Sequence, residues 1–540
     1  MAREFTIVLV PSPRQSARER ELQASTVRSH AARVSSAQAA VTKWSKRTAV
    51  LNTRADHRAR VKQQLGAKEA ASTILATTLP GPDDESSITI TLPSPIMILG
   101  QGQVDPFTND DLHTLPPIAR NSLEYMMETI WGKNSPGLSR ATLTNHITHC
   151  KMLAVHSPLQ FHTQISSAVT LCYALSKDPE VLKTLLATRL KHQTAALSIL
   201  RDSIANLTGP PSDELIDCLS RLAAQGGDLA KPGSVSRYRE SPIADSFPIR
   251  LYGCFEPCIP HFQALSFLIR QRGSLEVIAP AISHHLSLAD TMLATKLGTR
   301  PTFPVHRDLR QASDKRQLPF DGEAAELCFN MGSGWKMLAE SHPEIVKLAL
   351  RAGEITSALD QSCRGGQGCL PFPQLVILAI AFQHDLYSLE SPADHSSSPE
   401  DACCWTSEIC RFALQIYSDV VLFPAPESSG VRQRLAAQLW GPLAAYNAAR
   451  DPDTDTCYRE LILWATVMGA VSAEATKHRD WYLRQLVKMV IDQNISWEIF
   501  KRSLARFLWW EYTLGEHVRD IWKDAWGLAH ADGFTNTPSA

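Results

Sequence analysis

Residues 180–205 read EVLKTLLATRLKHQTAALSILRDSIA, and this stretch decides the fold class. No Gly or Pro interrupts it. Its apolar residues return every three or four positions, the period of a helix with one buried face rather than the alternation of a half-buried strand. The same period governs Ile118 to Trp131, Leu159 to Leu175, Pro260 to Arg270 and Glu323 to Leu338. Turn signals separate such segments at Gly209-Pro210-Pro211-Ser212-Asp213, Lys231-Pro232-Gly233 and Arg364-Gly365-Gly366-Gln367-Gly368. From Leu435 onward long helical stretches alternate with short breaks, and no self-similarity at a fixed period signals a solenoid. The expectation is an all-α fold, a large irregular helical domain over 108–530 with a tail at 531–540. Ser391 to Glu400, with its Pro and serine run, reads as a mobile surface loop.

Ahead of that domain the composition changes twice. Between Leu79 and Pro106 it turns to Pro, Gly, Ser and acid, which makes 71–107 a linker. Within it, Ser87-Ile88-Thr89-Ile90-Thr91-Leu92 alternates and either pairs as a strand or stays extended. Residues 1–70 form an arm that is partly helical or disordered. From 15 onward it is rich in Ala, Arg, Gln and Glu, with no Pro or Gly before Gly66. Val27, Ala31, Val34 and Val41 lie at helical spacing, but Ser45, Thr48 and Asn52 then interrupt the seam, so no zipper is read.

The whole chain balances 54 Lys and Arg against 55 Asp and Glu, a net charge of -1 that points to no partner. The distribution is lopsided. The arm holds fourteen basic and five acidic side chains, +9 in sum, leaving -10 for the rest. Such a split points to polyanion contact, since each Lys or Arg laid on a phosphate releases a condensed counterion; the alternative is a solvated helix face. The twelve cysteines are scattered through a chain far larger than disulfide-dependent secreted scaffolds, so reduced thiols are expected. The first residues do not read as a secretory signal. The longest mainly apolar runs, Leu375 to Phe382 and Leu461 to Ala473, fall short of the roughly 20 residues a bilayer requires and read as core. No membrane partner is expected.

The familiar catalytic and nucleotide-binding signatures are missing. No G-x-x-x-x-G-K-[ST], H-E-x-x-H or strand-borne G-x-G-x-x-G occurs, and Met331-Gly332-Ser333-Gly334-Trp335 lacks the outer glycines of a nucleophile elbow. The chain therefore reads as a non-enzyme. Asp451-Pro452-Asp453-Thr454-Asp455 has the spaced carboxylates of a calcium loop but Thr456 at the sharp turn and Ile462 at the bidentate position, so a helix-capping turn is expected. Cys254, Cys258 and His261, the set His146, His149 and Cys150, and Cys403, Cys404 and Cys410 each lack four ligands at a recognised spacing. His284-His285 has no cysteine partner near it in sequence. No metal and no cofactor are expected. Trp464, Trp481, Trp497, Trp509, Trp510, Trp522 and Trp526 crowd the C-terminal end and read as helix packing rather than a ligand cage. Neighbours on a helix face different directions, so one of Trp509 and Trp510 is expected to be exposed.

Several stretches in order carry a resemblance. Phe5-Thr6-Ile7-Val8 ahead of Pro11 and then Val27-Arg28-Ser29-His30-Ala31-Ala32-Arg33 open the chain. Asp105-Pro106-Phe107 leads into a helix ending near Trp131, followed by Ser157 to Leu175. Leu461-Ile462-Leu463-Trp464 runs into Gly469-Ala470, followed by Arg479-Asp480-Trp481-Tyr482-Leu483, Phe507-Leu508-Trp509 and Ile521-Trp522-Lys523. In these the chain resembles fungal proteins bearing the fungal-specific transcription-factor domain, in the branch that lacks a binuclear zinc cluster. Residues 210–430 match only in helical character. The resemblance implies a nuclear regulator of transcription. Because no six-cysteine cluster is present, the DNA-binding mode of the zinc-bearing members does not carry over.

Two functional expectations follow. In the first, the chain is a nuclear transcriptional regulator whose arm contacts duplex DNA through Arg28, His30, Arg33, Lys43, Lys46 and Arg47, while the helical domain binds co-regulators, other protein partners or a small effector. In the second, it is a regulatory protein–protein interaction module that never touches DNA, its arm serving nuclear import or docking, with Lys43 to Arg47 as a weak import signal. Target genes, effector and oligomeric state are not legible in the sequence.

Overall fold

The computed structural model describes residues 115–131, 140–227, 237–245, 249, 253–314, 318–391, 402–449, 458–474, 476–491 and 493–531. All belong to one unit, 92–540, which begins inside the 71–107 linker. Among the described residues the chain is all-α: seventeen α-helices joined by 3-10 and π turns, with no strand. The alternating run at Ile88, the Lys231 turn, the acidic turn at Asp451–Asp455 and all but the first residue of the Ser391 to Glu400 loop lie outside the described residues.

The first half is built from α1 (Pro117–Tyr125), a π turn (Met126–Trp131), α2 (Arg140–His156), α3 (Pro158–Leu175), α4 (Pro179–Ala205), α5 (Asp213–Gln225), α6 (Ile259–Arg272) and α7 (Pro280–Leu297). Local chemistry sets the starts. Ser157 accepts a hydrogen bond from Gln160 N at 3.2 Å, Asp178 from Glu180 N at 2.9 Å and Ser212 from Leu215 N at 3.2 Å. In α3 and α4 a proline follows the cap, where its missing N–H costs nothing. The three residues between α3 and α4 turn the chain back on itself, and these two helices form the most extensive pair in the fold. Two small cores result. One lies around Met126, Met127, Ile165 and Val169, the other around Leu219, Phe262, Leu265 and Leu286.

The second half continues with α8 (Arg307–Asp314), α9 (Gly322–Gly332), α10 (Pro343–Arg364), α11 (Phe372–Ser388), α12 (Ala402–Tyr417), α13 (Val431–Ala449), α14 (Arg459–Ser472), α15 (Arg479–Leu486), α16 (Trp497–Ala505) and α17 (Glu511–Ala531). It encloses the largest core, which α7 joins through Leu288 and Met292 while its Leu286 and Leu293 serve the smaller one. The apolar runs Leu375–Phe382 and Leu461–Ala473 are buried in and just beyond α11 and α14. Among the described residues no helix is long and apolar enough to cross a membrane.

Aromatic packing fixes this half. Trp335 is fully buried and meets Trp464 edge-on at 5.3 Å and Phe507 edge-on at 5.3 Å, while Trp464 and Phe507 stack at 5.9 Å. Two glycines permit the approach. A Cβ on Gly334 would stand 2.8 Å from Arg506 O and 2.9 Å from the Phe507 ring, which explains a glycine inside the Met331–Trp335 motif. A Cβ on Gly469 would enter the ring of Tyr482, whose hydroxyl donates to Ala436 O at 2.7 Å.

One expectation is corrected here. Trp509 and Trp510 are both buried, at 4% and 2% exposure, because they lie between α16 and α17 and not within a helix. Trp509 Nε1 donates to Glu511 Oε2 at 3.1 Å, and Trp510 Nε1 donates to Asp360 Oδ1 at 2.9 Å. Each indole therefore has its own hydrogen-bond partner, and neither faces solvent.

Candidate functional site

The candidate DNA contacts Arg28, His30, Arg33, Lys43, Lys46 and Arg47 lie outside the described residues. Of the proposed ligand sets, the structure brings His146 and Cys150 together, Sγ standing 3.5 Å from Nε2, while His261 Nδ1 faces Leu222 O at 3.4 Å. Burial pushes the Cys150 thiol up to about 12 and so keeps it protonated. Among the described residues no group of three or more His, Cys, Asp or Glu side chains is arranged to hold a metal ion.

The His146 side chain belongs to a buried polar cluster. Asp217 and Arg221, one turn apart on α5, pair at 3.0 Å with both side chains under 10% exposed. Arg221 lies 4.5 Å from the ring centre of Trp131, and Gln160 Nε2 donates to Asp217 Oδ2 at 3.3 Å. Burial alone would raise the Asp217 carboxyl, but the adjacent guanidinium overrides it and holds the group below the usual carboxylate range. His285 approaches from α7, with Nδ1 3.4 Å from Ser220 Oγ. These groups satisfy one another inside the first half of the fold; they form a clamp between helices.

Burial depresses several imidazoles as well. His146, His192 and His285 are pushed down to about 4, and His517 to about 3. The unfolded chain protonates these near 6.5, whereas the folded chain resists protonation until near 4 or below. Stability is therefore full above pH 6.5 and falls as the pH drops toward 4, by up to about 1.4 kcal/mol per pH unit for each histidine that titrates only on unfolding. The melting temperature at pH 5.5 is expected to lie well below that at pH 7.5. A flat profile between them would contradict the neutral, buried assignment.

The second half carries an open cleft of about 190 Å³, lined by Asn447, Arg459, Gln485, Lys488, Met489 and Gln493. Five parts of the chain converge on it. Asn447 sits in the last turn of α13, beyond the internal Gly441-Pro442 pair where the proline removes a ladder hydrogen bond. Arg459 is the first residue of α14, and Gln485 lies near the end of α15. Lys488 and Met489 stand on the π turn Val487–Ile491, a geometry frequent at functional sites. Gln493 precedes Asn494, the one non-glycine residue with positive φ, +52°, among the described residues. Backbone irregularity thus gathers at this cleft.

Three of its polar side chains are held by hydrogen bonds. Arg459 Nη2 donates to Met489 O at 3.3 Å, and Asn447 Nδ2 donates to Gln485 Oε1 at 3.3 Å. Lys488 makes no ion pair among the described residues, and no described carboxylate lines the cleft; Glu460, beside Arg459, is engaged by Ser503 at 3.2 Å and by Arg506. The cleft offers a planar guanidinium, an ammonium and amide groups to one small volume. Guanidinium and ammonium groups are the ones that pair with oxyanions. Along the same pair of helices, Trp440 lies 5.3 Å from His478 and 6.4 Å from Trp481. None of the lining residues was singled out in the sequence, where each resembles an ordinary solvated side chain. The spaced cations Arg479, Arg484 and Lys488 were the nearest signal.

Comparison with known protein families, with curated proteins and with solved structures finds no match to this chain.

Proposed function

We propose that the chain is a nuclear transcriptional regulator whose basic arm contacts duplex DNA and whose helical domain binds partners or a small effector. The charge split carries this reading: +9 on residues 1–70 against -10 on the remainder. An arm of that charge gains affinity for a polyanion without reading sequence. The recessed cationic cleft in the helical domain supports an effector-binding role for it.

The test is the salt dependence of DNA binding by the full chain. Log K falls with log salt at a slope of about -0.9 per phosphate neutralised. Replacing Arg28, Arg33, Lys46 and Arg47 by Ala is expected to make the slope shallower by as much as about 3.6, with the helical signal unchanged. No DNA affinity at low salt, or an unchanged slope in the quadruple variant, defeats the DNA contact.

The interaction-module reading then leads. One observation favours it: Leu186 and Leu190, a turn apart on α4, are exposed at 37% and 38%, an apolar pair that a docked partner would cover.

A further inference from the structure

We propose that the cleft between the ends of α13 and α15 is a binding site for a compact oxyanion ligand, carrying carboxylate or phosphoryl oxygens. This rests on reading the helical domain as an effector-binding module, and it does not depend on DNA contact by the arm.

The argument begins with the charges. Arg459 and Lys488 face one volume of about 190 Å³, so an incoming anion meets two cations among the described residues that line it. The guanidinium is pre-oriented. Its hydrogen bond to Met489 O holds one Nη while the remaining donors stay available among the described residues. A planar fork of this kind matches two oxygens of a carboxylate or phosphate side by side. Lys488 adds a point charge from an exposed position on the π turn.

The amides refine the ligand. With Asn447 Nδ2 turned to Gln485 Oε1, the Gln485 nitrogen remains a donor and the Asn447 oxygen an acceptor. A ligand that fits carries its charge at one edge and a hydroxyl, ammonium or second carboxylate at another. The volume lies below the roughly 300–1,000 Å³ of drug-sized pockets, which limits the occupant to a small polar molecule.

The two sources of oxyanion are separated by titrating the full chain calorimetrically with succinate and, in a parallel arm, with inorganic phosphate, each against sodium chloride at matched ionic strength. At least one is expected to bind saturably with a dissociation constant below about 10 mM. Binding by succinate alone assigns a carboxylate ligand, and binding by phosphate alone assigns a phosphoryl one. Lys488→Gln and Arg459→Gln should each weaken that binding by about tenfold or more, the loss of one charge-assisted contact. Lys488→Arg should restore it to within about threefold. Lys488 is exposed, so its variants fold, and circular dichroism on each variant checks this. Signals that track ionic strength alone in both arms, or Gln variants that bind like the parent, overturn the proposal. No DNA affinity of the full chain at low salt, or an unchanged salt slope in the arm variant, with succinate or phosphate binding intact, sinks the DNA-contact reading and leaves this one standing.

Discussion

Trp464→Ala is expected to lower the stability of the helical domain by about 3–5 kcal/mol. The indole is fully buried on α14, edge-on to Trp335 and stacked on Phe507, so its removal opens a large void among rings that cannot close over it. Its Nε1 also donates to Leu508 O at 2.9 Å, and the truncated side chain leaves that carbonyl unsatisfied. The void and the lost bond arise from one substitution and are read together as a single loss. Chemical denaturation followed at 222 nm measures the loss. Trp440→Ala is the internal comparison: Trp440 is 38% exposed, and its removal should cost far less. Equal costs for the two tryptophans would contradict the packing described here.

A comparable loss is expected from Arg221→Met. The substitution keeps much of the side-chain volume but leaves Asp217 buried without its cation, a situation that costs about 3–5 kcal/mol. The carboxylate then either takes up a proton or draws water into the clamp. A second change, Asp217→Leu, removes the uncompensated charge, so the double variant should recover most of the stability lost by the single one. Recovery is the decisive result, because simple damage to packing would grow with the second substitution. The single variant should also become less unstable as the pH falls through the range where Asp217 protonates.

The helices were legible because their cause is local. In α3, α4 and α5 the apolar period and the capping side chains act over three or four residues, which a sequence displays directly. What escaped reading depends on distant partners. Whether Trp509 and Trp510 are covered is decided by Glu511, by Asp360 and by the short stretch without helical geometry between α16 and α17. The Met331–Trp335 segment lacks the outer glycines of a nucleophile elbow, and the reason for its glycine at 334 appears only with Phe507 in place. The cleft was invisible for the same reason: its residues come from five places along the chain, and the π turn that presents Lys488 has no sequence signature. Two cations distant in the sequence acquire meaning only when the fold brings them to one cleft.

The burial of Trp510 against Asp360 also has a consequence in time. The two residues stand 150 positions apart, and a ribosome adding about 5–20 residues per second needs about 8–30 s to make the intervening chain. Until Phe507 and Trp510 emerge, Trp335 and the Asp360 turn of α10 wait without the surfaces that cover them. Synthesis of this protein thus carries a built-in interval in which its central helices are present but its largest core is open, and holding chaperones would act during that interval.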